Sequence, residues 1–487
     1  MADTIVLYPS PGMGHLISMV ELAKLVISHF PSFSITIFVL NPPQNPDPIS
    51  QQIANTSSNY IAAVSAATPI TFRHFSIPTS DLPPNTPLVE LGFLLPRLNN
   101  PQIRQALQTI SEKSKIKAFI MDFFCDAAFE VATGLKIPAY YFFTSSGNGL
   151  GFFLHFPVLD RNTETDIKDL DAPIKSPGLP PIPITETPPV IQTRANLVYQ
   201  NFLQTAIHFS ESSGIIVNTF ELLEERALQA ISDGLCTAEN YTTPAIFAVG
   251  PVISTKNGDG DANQEKHECL SWLDKQPSGS VVFLCFGSMG VFSVKQLKEM
   301  AMALENSGQR FLWVVRTPPP ENDKSYGIIG EILDESFLER TRDRGLVVQN
   351  WAPQLAVLSH DSVGGFVTHC GWNSVLESVS CGVPMVAWPL YAEQKMNRVY
   401  LVEEMKLALA IKEAEDGFVS SGELEERVRE LMESENGREL RERALVMRDA
   451  AITAMKDGGS SRVALTKLAE SLSKTELDCG IVRACDV

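Results

Sequence analysis

The feature that most constrains the fold is a repeated alternation of short apolar strands with helical segments. The N-terminal half contains five near-continuous apolar runs, at residues 4–10, 34–40, 117–123, 138–144 and 214–220. Segments whose apolar residues follow helical spacing separate these runs, as in 16–30. Strands that are apolar on both faces and alternate with helices predict a parallel sheet covered on both sides.

A second set of the same units follows a polar, glycine-rich stretch, 254–266, which we interpret as an exposed linker. Its strands are predicted at residues 280–288, 310–316, 346–351, 363–370 and 384–389. The pattern predicts an α/β protein with two Rossmann-like domains, 1–250 and 251–460, followed by a helix and tail, 461–487. Ligands of such sheets bind beyond the carboxyl ends of the strands, so the natural site is the cleft between the domains.

Charge and cysteine usage limit the partners and the compartment. Lys and Arg total 39 and Asp and Glu total 57, so the formal net charge is −18. Such an acidic chain repels phosphate backbones, which argues against nucleic acid as a main partner. The eight cysteines include no CxxC pair, which favours a reduced, cytoplasmic compartment. We expect neither a secretory signal nor a membrane span, and we interpret the uncharged stretch 137–159 as strand, loop and buried helix.

The first glycine-rich loop, 11–15, delivers a histidine to the start of a helix. Gly12 and Gly14 resemble a dinucleotide-binding turn, but the third glycine position holds Ile17, which weakens that reading. His15 titrates near neutral pH and suits the work of a general base. Taken alone, a histidine at a helix start is more often a structural residue.

Asp122 ends the predicted strand 117–123. The carboxyl ends of parallel strands meet along one edge, so Asp122 is a candidate partner for His15. A carboxylate there would orient the imidazole and stabilise its protonated form. A capping aspartate is the alternative, and Asp126, one helical turn later, is the local competitor.

The strongest signal is the segment 351–394. Its centre runs from a strand through His369 and a glycine into a helix that begins near Asn373 and Ser374. Backbone N–H groups, the positive end of a helix dipole and small polar side chains at one point predict a diphosphate site. Glu377, one turn further, suits ribose hydroxyls, and Trp351 offers a flat face to a base.

Two shorter motifs lie outside this segment. Gly287 and Ser288 end another strand, where a hydroxyl and a close backbone approach suit an anion, although an ordinary turn is equally compatible. Asp259 and Asp261 form the DxD pattern of metal-dependent sugar-nucleotide enzymes, but no strand leads into it, so we interpret it as a solvated turn. P-loop, zincin and α/β-hydrolase motifs are absent from the sequence.

These motifs together resemble a known family. The segment 351–394 is similar over its full length to the plant secondary-product signature of the family-1 UDP-glycosyltransferases, and PSPGMGH, SPGLPP and FGS occur in the family's order. The resemblance implies a GT-B fold, in which two Rossmann-like domains face each other across a cleft. It also implies a UDP-sugar as co-substrate, no metal or other cofactor, and inversion at the anomeric carbon.

The resemblance assigns roles to individual residues. His15 would be the base and Asp122 its partner. Trp351 and the backbone of Ala352 would bind uracil, and Gln354 and Glu377 would bind the ribose. The diphosphate would be bound by Ser288, His369, Asn373 and Ser374. The sugar would be bound by Thr144, Trp372, Glu393 and Gln394. The helix start and His369 would meet the charge on the departing UDP.

Donor and acceptor follow from the same resemblance. Gln394 and the retained Trp372 favour UDP-glucose, because relatives that use UDP-glucuronate often carry arginine at the latter position. Glu393 departs from the family, since many relatives have aspartate there. The acceptor pocket is expected in the N-terminal domain, where Phe123, Phe124, Phe143 and Phe152 would suit a flat flavonoid or chalcone; core packing is the competing explanation for these rings.

We therefore expect inverting transfer of glucose from UDP-glucose to a phenolic hydroxyl, which forms a β-O-glucoside, by a monomeric enzyme. Another UDP-sugar or a terpenoid acceptor is the alternative within this class. Two other classes stay open at this point: a nicotinamide oxidoreductase on the same sheet topology, and a sugar-nucleotide-binding protein without catalysis.

Overall fold

The computed structural model describes residues 3–41, 48–76, 82–83, 86–254, 267–317 and 329–473. Almost all of the predicted linker, with Asp259 and Asp261, lies outside the described residues, and so does the end of the chain from 474.

The first part of the described chain forms one parallel sheet with helices on both faces. Its strands are β1 (Asp3–Tyr8), β2 (Phe33–Leu40), β3 (Thr71–Phe75), β4 (Lys115–Asp122), β5 (Ala139–Phe143), β6 (Gly214–Val217) and β7 (Ile246–Ala248). Its helices are α1 (Met13–His29), α2 (Pro48–Ala67), α3 (Leu88–Ser111), α4 (Phe129–Gly134), α5 (Gly147–Asn162), α6 (Leu197–Glu211) and α7 (Glu225–Ser232), with short 3-10 turns at Phe123–Ala128, Ile167–Asp169, Ile184–Glu186, Pro189–Ile191 and Glu221–Leu223. The strand order is β3-β2-β1-β4-β5-β6-β7.

The second part repeats the architecture. Its strands are β8 (Val281–Cys285), β9 (Arg310–Val315), β10 (Gly345–Gln349), β11 (Val363–Thr368), β12 (Met385–Ala387) and β13 (Ala408–Ala410). Its helices are α8 (Glu268–Leu273), α9 (Val294–Ser307), α10 (Ile329–Ile332), α11 (Glu335–Thr341), α12 (Gln354–Leu358), α13 (Trp372–Cys381), α14 (Gln394–Val399), α15 (Ser421–Glu433) and α16 (Glu435–Met455), with a π-helical turn at Tyr400–Glu404. The order β10-β9-β8-β11-β12-β13 is also parallel throughout.

The predicted fold class, with two parallel Rossmann-like sheets, is confirmed. β1 shows why its strand forms: Val6 and Tyr8 pack into one apolar cluster, while Ile5 and Leu7 pack on the opposite face against α1. All four side chains are buried, and burying one apolar side chain contributes about 1.5–3 kcal/mol. This two-sided packing fixes the start of α1 just beyond the carboxyl end of β1.

The uncharged stretch 137–159 folds, as predicted, into a strand, a short loop and a buried helix, namely β5 and most of α5. Within the ranges that the structure describes, no helix combines the length and the apolar character needed to cross a membrane.

The last described helix, α17 (Ser460–Ser473), returns to the N-terminal sheet. Its Leu465, Leu468 and Leu472 are buried in the same cluster as β1 and α1. Ser461 Oγ donates a hydrogen bond of 2.5 Å to the carbonyl of Gly250. The end of the described chain therefore completes the first sheet's core, although in sequence it follows the second.

Candidate active site

His15 and Asp122 meet at the edge of the first sheet. His15 lies in the first turn of α1, and Asp122 is the last residue of β4, the neighbour of β1. The His15 Nδ1 to Asp122 Oδ2 distance is 2.9 Å, and Ser10 Oγ donates to Asp122 Oδ1 at 2.6 Å. A carboxylate only accepts hydrogen bonds, so Nδ1 carries the proton and Nε2 keeps its lone pair. This tautomer suits a general base.

The charged groups around His15 favour the protonated form of its imidazole. Burial, the largest single influence, lowers the pKa of His15, but the charge and hydrogen bond of Asp122 and the charge of Glu393 outweigh it. The net result is a raised pKa. The side chain of His15 remains 31% exposed, whereas that of Asp122 is 0% exposed. The pair therefore holds a proton acceptor at the surface and stabilises the cation that forms when it accepts.

Two further side chains contact the imidazole of His15. Thr144, which follows β5, has its Oγ1 3.3 Å from Nδ1. The ring of Phe124 lies edge-on to the imidazole, with 5.8 Å between centroids. These contacts limit the orientations that the imidazole can adopt.

The start of α13 has the features of an anion-binding site. Its N-cap, Gly371, has no side chain to accept a hydrogen bond from the first turn, and the first N–H groups of a helix have no intrahelical partner. Asn373 Nδ2 donates to the Gly14 carbonyl at 3.3 Å, and Ser18 Oγ donates to Asn373 Oδ1 at 3.1 Å. The helix start with the predicted diphosphate site therefore touches the helix start that carries His15.

His369 is packed between two glycines. A Cβ atom would lie 2.6 Å from its Nε2 if built on Gly287, and 2.4 Å if built on Gly371, so neither position has room for a side chain. The residue is 6% exposed, and its Nδ1 has no hydrogen-bond partner among the described residues. Burial lowers its pKa to about 4. His369 is thus neutral at pH 7 and would meet an anion as a hydrogen-bonding group.

The predicted ribose residues are joined to one another. Gln354 Nε2, at the start of α12, donates to Glu377 Oε2 at 2.7 Å and to Ser374 Oγ at 2.9 Å. Burial raises the pKa of Glu377 to about 6, although the hydrogen bond from Gln354 opposes the shift. Trp351 is 61% exposed, with His267 edge-on at 5.6 Å, and Ala352 is buried beside it. An exposed indole face and a half-buried carboxylate suit the base and the ribose of a nucleoside.

Two of the residues predicted to contact the sugar already form hydrogen bonds within the protein. The buried indole of Trp372 donates through Nε1 to the carbonyl of Asn218 at 2.7 Å. An indole has one donor, so only the backbone of Trp372 remains for a sugar hydroxyl. Gln394 Oε1 accepts from the N–H groups of Leu390 and Tyr391 at 2.9 and 3.0 Å, which leaves its amide nitrogen as the group able to bind a ligand.

Two more of the predicted donor-binding residues, Glu393 and Ser288, differ in their exposure. Glu393 is half-buried, burial raises its pKa, and its charge acts on His15, so it faces the cleft from the second sheet's side. Ser145 Oγ lies 3.5 Å from one of its oxygens. Ser288 is exposed at the end of β8, in a turn whose Gly287 carbonyl accepts from Arg316 Nε at 2.8 Å.

The four aromatic residues predicted for the acceptor pocket separate into two groups. Phe124 is half-buried and contacts His15. Phe123, Phe143 and Phe152 are buried in the core cluster, and Phe152 is only 1% exposed. The structure therefore brings one of these rings to His15 and keeps the other three in the core, because aromatic side chains mainly fill interiors.

The structure also brings in residues that the sequence analysis did not single out: Ser10, Ser18, Asn218 and Arg316. Ser10 and Arg316 each stand just beyond a strand of a parallel sheet, and that position was the available signal. Within the described ranges, no three His, Cys, Asp or Glu side chains cluster as they would around a metal ion.

Comparison with known proteins gives concordant matches. A family model described as "UDP-glucoronosyl and UDP-glucosyl transferase" matches residues 243–457. The chain is 55% identical over 477 residues to an anthocyanidin 5,3-O-glucosyltransferase of a Rosa hybrid cultivar, covering 96% of this chain and 98% of that one. It is 47% identical to a phloretin 2'-O-glucosyltransferase of Malus domestica, with 97% and 100% coverage. The solved structure of Phytolacca americana UGT2 with UDP-2fluoro-glucose and pterostilbene is 36% identical and superposes with a TM-score of 0.85 over 97% of this chain and 100% of that one.

Proposed function

This chain belongs to the UDP-glycosyltransferase family, and from that premise we propose that it transfers glucose from UDP-glucose to a phenolic hydroxyl of a flavonoid-type plant metabolite, with inversion. The observation that carries the proposal is the contact between the two helix starts. His15 on α1 and the uncapped start of α13 are joined through Asn373 and Gly14. A base and an anion site in such proximity suit a displacement in which a proton leaves one reactant and a phosphate leaves the other.

The acceptor half of the reaction rests on the imidazole. Nε2 of His15 takes the proton from the phenol, and Asp122 stabilises the imidazolium through Nδ1. The phenolate oxygen attacks the anomeric carbon from the face opposite UDP, a new C–O bond forms, and the bond to the β-phosphate oxygen breaks. A phenol with a pKa near 10 gives up its proton far more readily than an aliphatic alcohol, so one histidine is a sufficient base.

In the donor half of the reaction, the diphosphate would be bound directly by groups without formal charge. The N–H groups at the start of α13, with the side chains of Ser288, Asn373 and Ser374, would bind the diphosphate, and neutral His369 would add a hydrogen bond. In this proposal uracil stacks on Trp351 and pairs with the backbone of Ala352. Gln354 and Glu377 hold the ribose, whereas Thr144, Glu393, the amide nitrogen of Gln394 and the backbone of Trp372 contact the sugar.

Support for a flat phenolic acceptor comes from the relatives and from Phe124. The rose relative is named for anthocyanidin and the apple relative for phloretin, and both are named glucosyltransferases. Phe124 lies beside His15 and packs against Phe93 with 4.9 Å between ring centroids. An aromatic acceptor would extend this group of rings while its hydroxyl approaches Nε2 of His15.

The proposal also covers the oligomeric state, the compartment and the cofactor requirement. We propose a monomer located in the cytoplasm, which the cysteine usage favours, and a reaction that needs no metal or other cofactor. Another UDP-sugar or a terpenoid acceptor is the alternative. Family membership decides against the oxidoreductase and against the binding protein without catalysis.

The decisive experiment is a matrix of UDP-sugars against phenolic and terpenoid acceptors, read by product mass, with the wild type and His15→Ala. Transfer to a phenol should fall by ~10²–10⁴-fold in His15→Ala, the usual share of general-base catalysis. His29→Ala, in the last turn of the same helix, is the matched control and should keep wild-type rates. Near-normal turnover by His15→Ala would remove this residue from the role.

A second experiment tests the metal-free reading. Turnover should persist in excess EDTA, because in this proposal the protein's own groups meet the charge of the diphosphate. Complete loss of activity that added Mg²⁺ or Mn²⁺ restores would reject this part of the proposal.

A further inference from the structure

Arg316 is a half-buried cation without a counter-ion. It follows β9 directly, and its Nε donates to the carbonyl of Gly287 at 2.8 Å. Among the described residues, no carboxylate lies within ion-pair distance of its guanidinium. Arg398, which is comparably buried, shows the usual arrangement, with Glu186 at 2.8 Å and Glu413 at 2.7 Å.

The other groups that interact electrostatically with Arg316 do not neutralise it. They are the thiol of Cys285 and the phenol of Tyr391. Burial raises the pKa of Cys285 to about 11 and also raises that of Tyr391, so both are uncharged at neutral pH. Burial lowers the pKa of Arg316 itself, as expected for a cation that has lost water without gaining an anion. Keeping an unpaired charge out of water is costly, which marks the residue as one whose partner comes from outside the chain.

The position of Arg316 indicates what that partner is. The Gly287 carbonyl to which it donates belongs to the turn that packs against His369 Nε2, and Gly371, the N-cap of α13, packs against the same nitrogen. The guanidinium is thus one hydrogen bond from the turn that borders the helix start. His369 is neutral there, so Arg316 is the formal positive charge held by this turn.

We propose that Arg316 is a positioning residue for the donor diphosphate. It holds the Gly287–Ser288 turn against His369, and its charge favours the oxygens that become negative as the glycosidic bond breaks. The inference rests on the proposed function, since it assigns a further residue to the same donor site. It predicts that Arg316 discriminates between ligands by their phosphate charge and is indifferent to the nucleoside.

The test compares UDP, UMP and uridine by isothermal titration calorimetry. Arg316→Gln should bind UDP ~10–100-fold more weakly than the wild type, the range of a lost charge-assisted hydrogen bond, with a smaller loss for UMP and none for uridine. Arg316→Lys keeps the charge without the planar donor set and should lose ~3–10-fold for UDP alone. Arg310→Gln, at the opposite end of β9, is the matched control and should match the wild type with all three ligands.

The outcomes separate this inference from the proposed function. A wild-type protein that fails to bind UDP would contradict the proposed function itself. If the wild type binds UDP and Arg316→Gln binds it equally well, the inference is wrong. Equal weakening for UDP and uridine would also overturn it, because a purely structural role affects the whole site. If Arg316→Gln does not fold, unchanged UDP affinity in Arg316→Lys overturns the inference in the same way.

Discussion

Replacing Asp122 by asparagine removes one negative charge from a site that water does not reach. The carboxylate accepts hydrogen bonds from Ser10 and from His15 Nδ1, at 2.6 and 2.9 Å, and it is fully buried. Asparagine has nearly the same shape, so the change tests charge and hydrogen-bond polarity with little change in packing.

The magnitude follows from the lost hydrogen bond. A bond between charged partners is worth about 1.5–3 kcal/mol, so the pKa of His15 should fall when Asp122 loses its charge. Burial, which lowers this pKa, then acts with less opposition. The imidazolium formed during transfer loses the same stabilisation, and an asparagine amide can also select the wrong tautomer. Together these effects should lower the maximal rate by ~10²–10⁴-fold.

The assay is the pH dependence of kcat/KM for a phenolic acceptor, measured by product formation at saturating UDP-glucose. A base works when deprotonated, so the rate rises with pH through the pKa of His15. In the wild type this rise should be centred above the ordinary histidine value, since the pKa is raised. In Asp122→Asn the rise should move to lower pH while the plateau drops.

The control is Asp126→Asn. Asp126 also pairs with a histidine, His208, at 2.9 Å, but both side chains are buried away from His15. This variant should unfold more easily yet keep the wild-type pH profile. A plateau that falls in Asp122→Asn without movement of the acid limb would refute the electrostatic reasoning, and an unchanged plateau would refute the catalytic role.

Two further predictions concern the donor site. Gly371→Ala places a Cβ 2.4 Å from His369 Nε2, so UDP affinity should fall at least ~10-fold by calorimetry, whereas Gly422→Ala, where the added Cβ meets nothing within 4 Å, should leave it unchanged. Glu377 has a pKa of about 6 and is a full acceptor for hydroxyls only when ionised, so KM for UDP-glucose should rise as pH falls through 6. Glu377→Gln should show a higher KM that does not vary over this range, and a wild-type KM that is flat between pH 5 and 7 would contradict the assignment.

Much of the fold was predictable from sequence because its strands are buried on both faces. The runs that became β1, β4, β8 and β11 contain few polar residues and end at glycine, proline or polar residues, so the apolar runs locate these strands within about three residues. β3, β7 and β13 escaped prediction. In β3, Arg73 and His74 interrupt the apolar residues, and the other two strands are only three residues long.

The site was predictable where parallel topology alone brings residues together. His15 and Asp122 end up in contact because both lie at the carboxyl edge of adjacent strands. The hydrogen bond from Trp372 to Asn218 joins residues 154 positions apart on different sheets, and no local pattern carries that information. The burial of Phe152 is a tertiary outcome of the same kind. For Arg316 the sequence gives the strand end, but only the packing reveals that no carboxylate accompanies it.

The return of α17 to the first sheet decides how the molecule can be divided. The polypeptide crosses between the domains twice, and the hydrogen bond from Ser461 to the Gly250 carbonyl brings the chain just before the first crossing next to the chain just after the second. A fragment ending at residue 250 would lack α17 and would leave uncovered the apolar surface against which Leu465, Leu468 and Leu472 pack. A single truncation therefore does not separate the two domains.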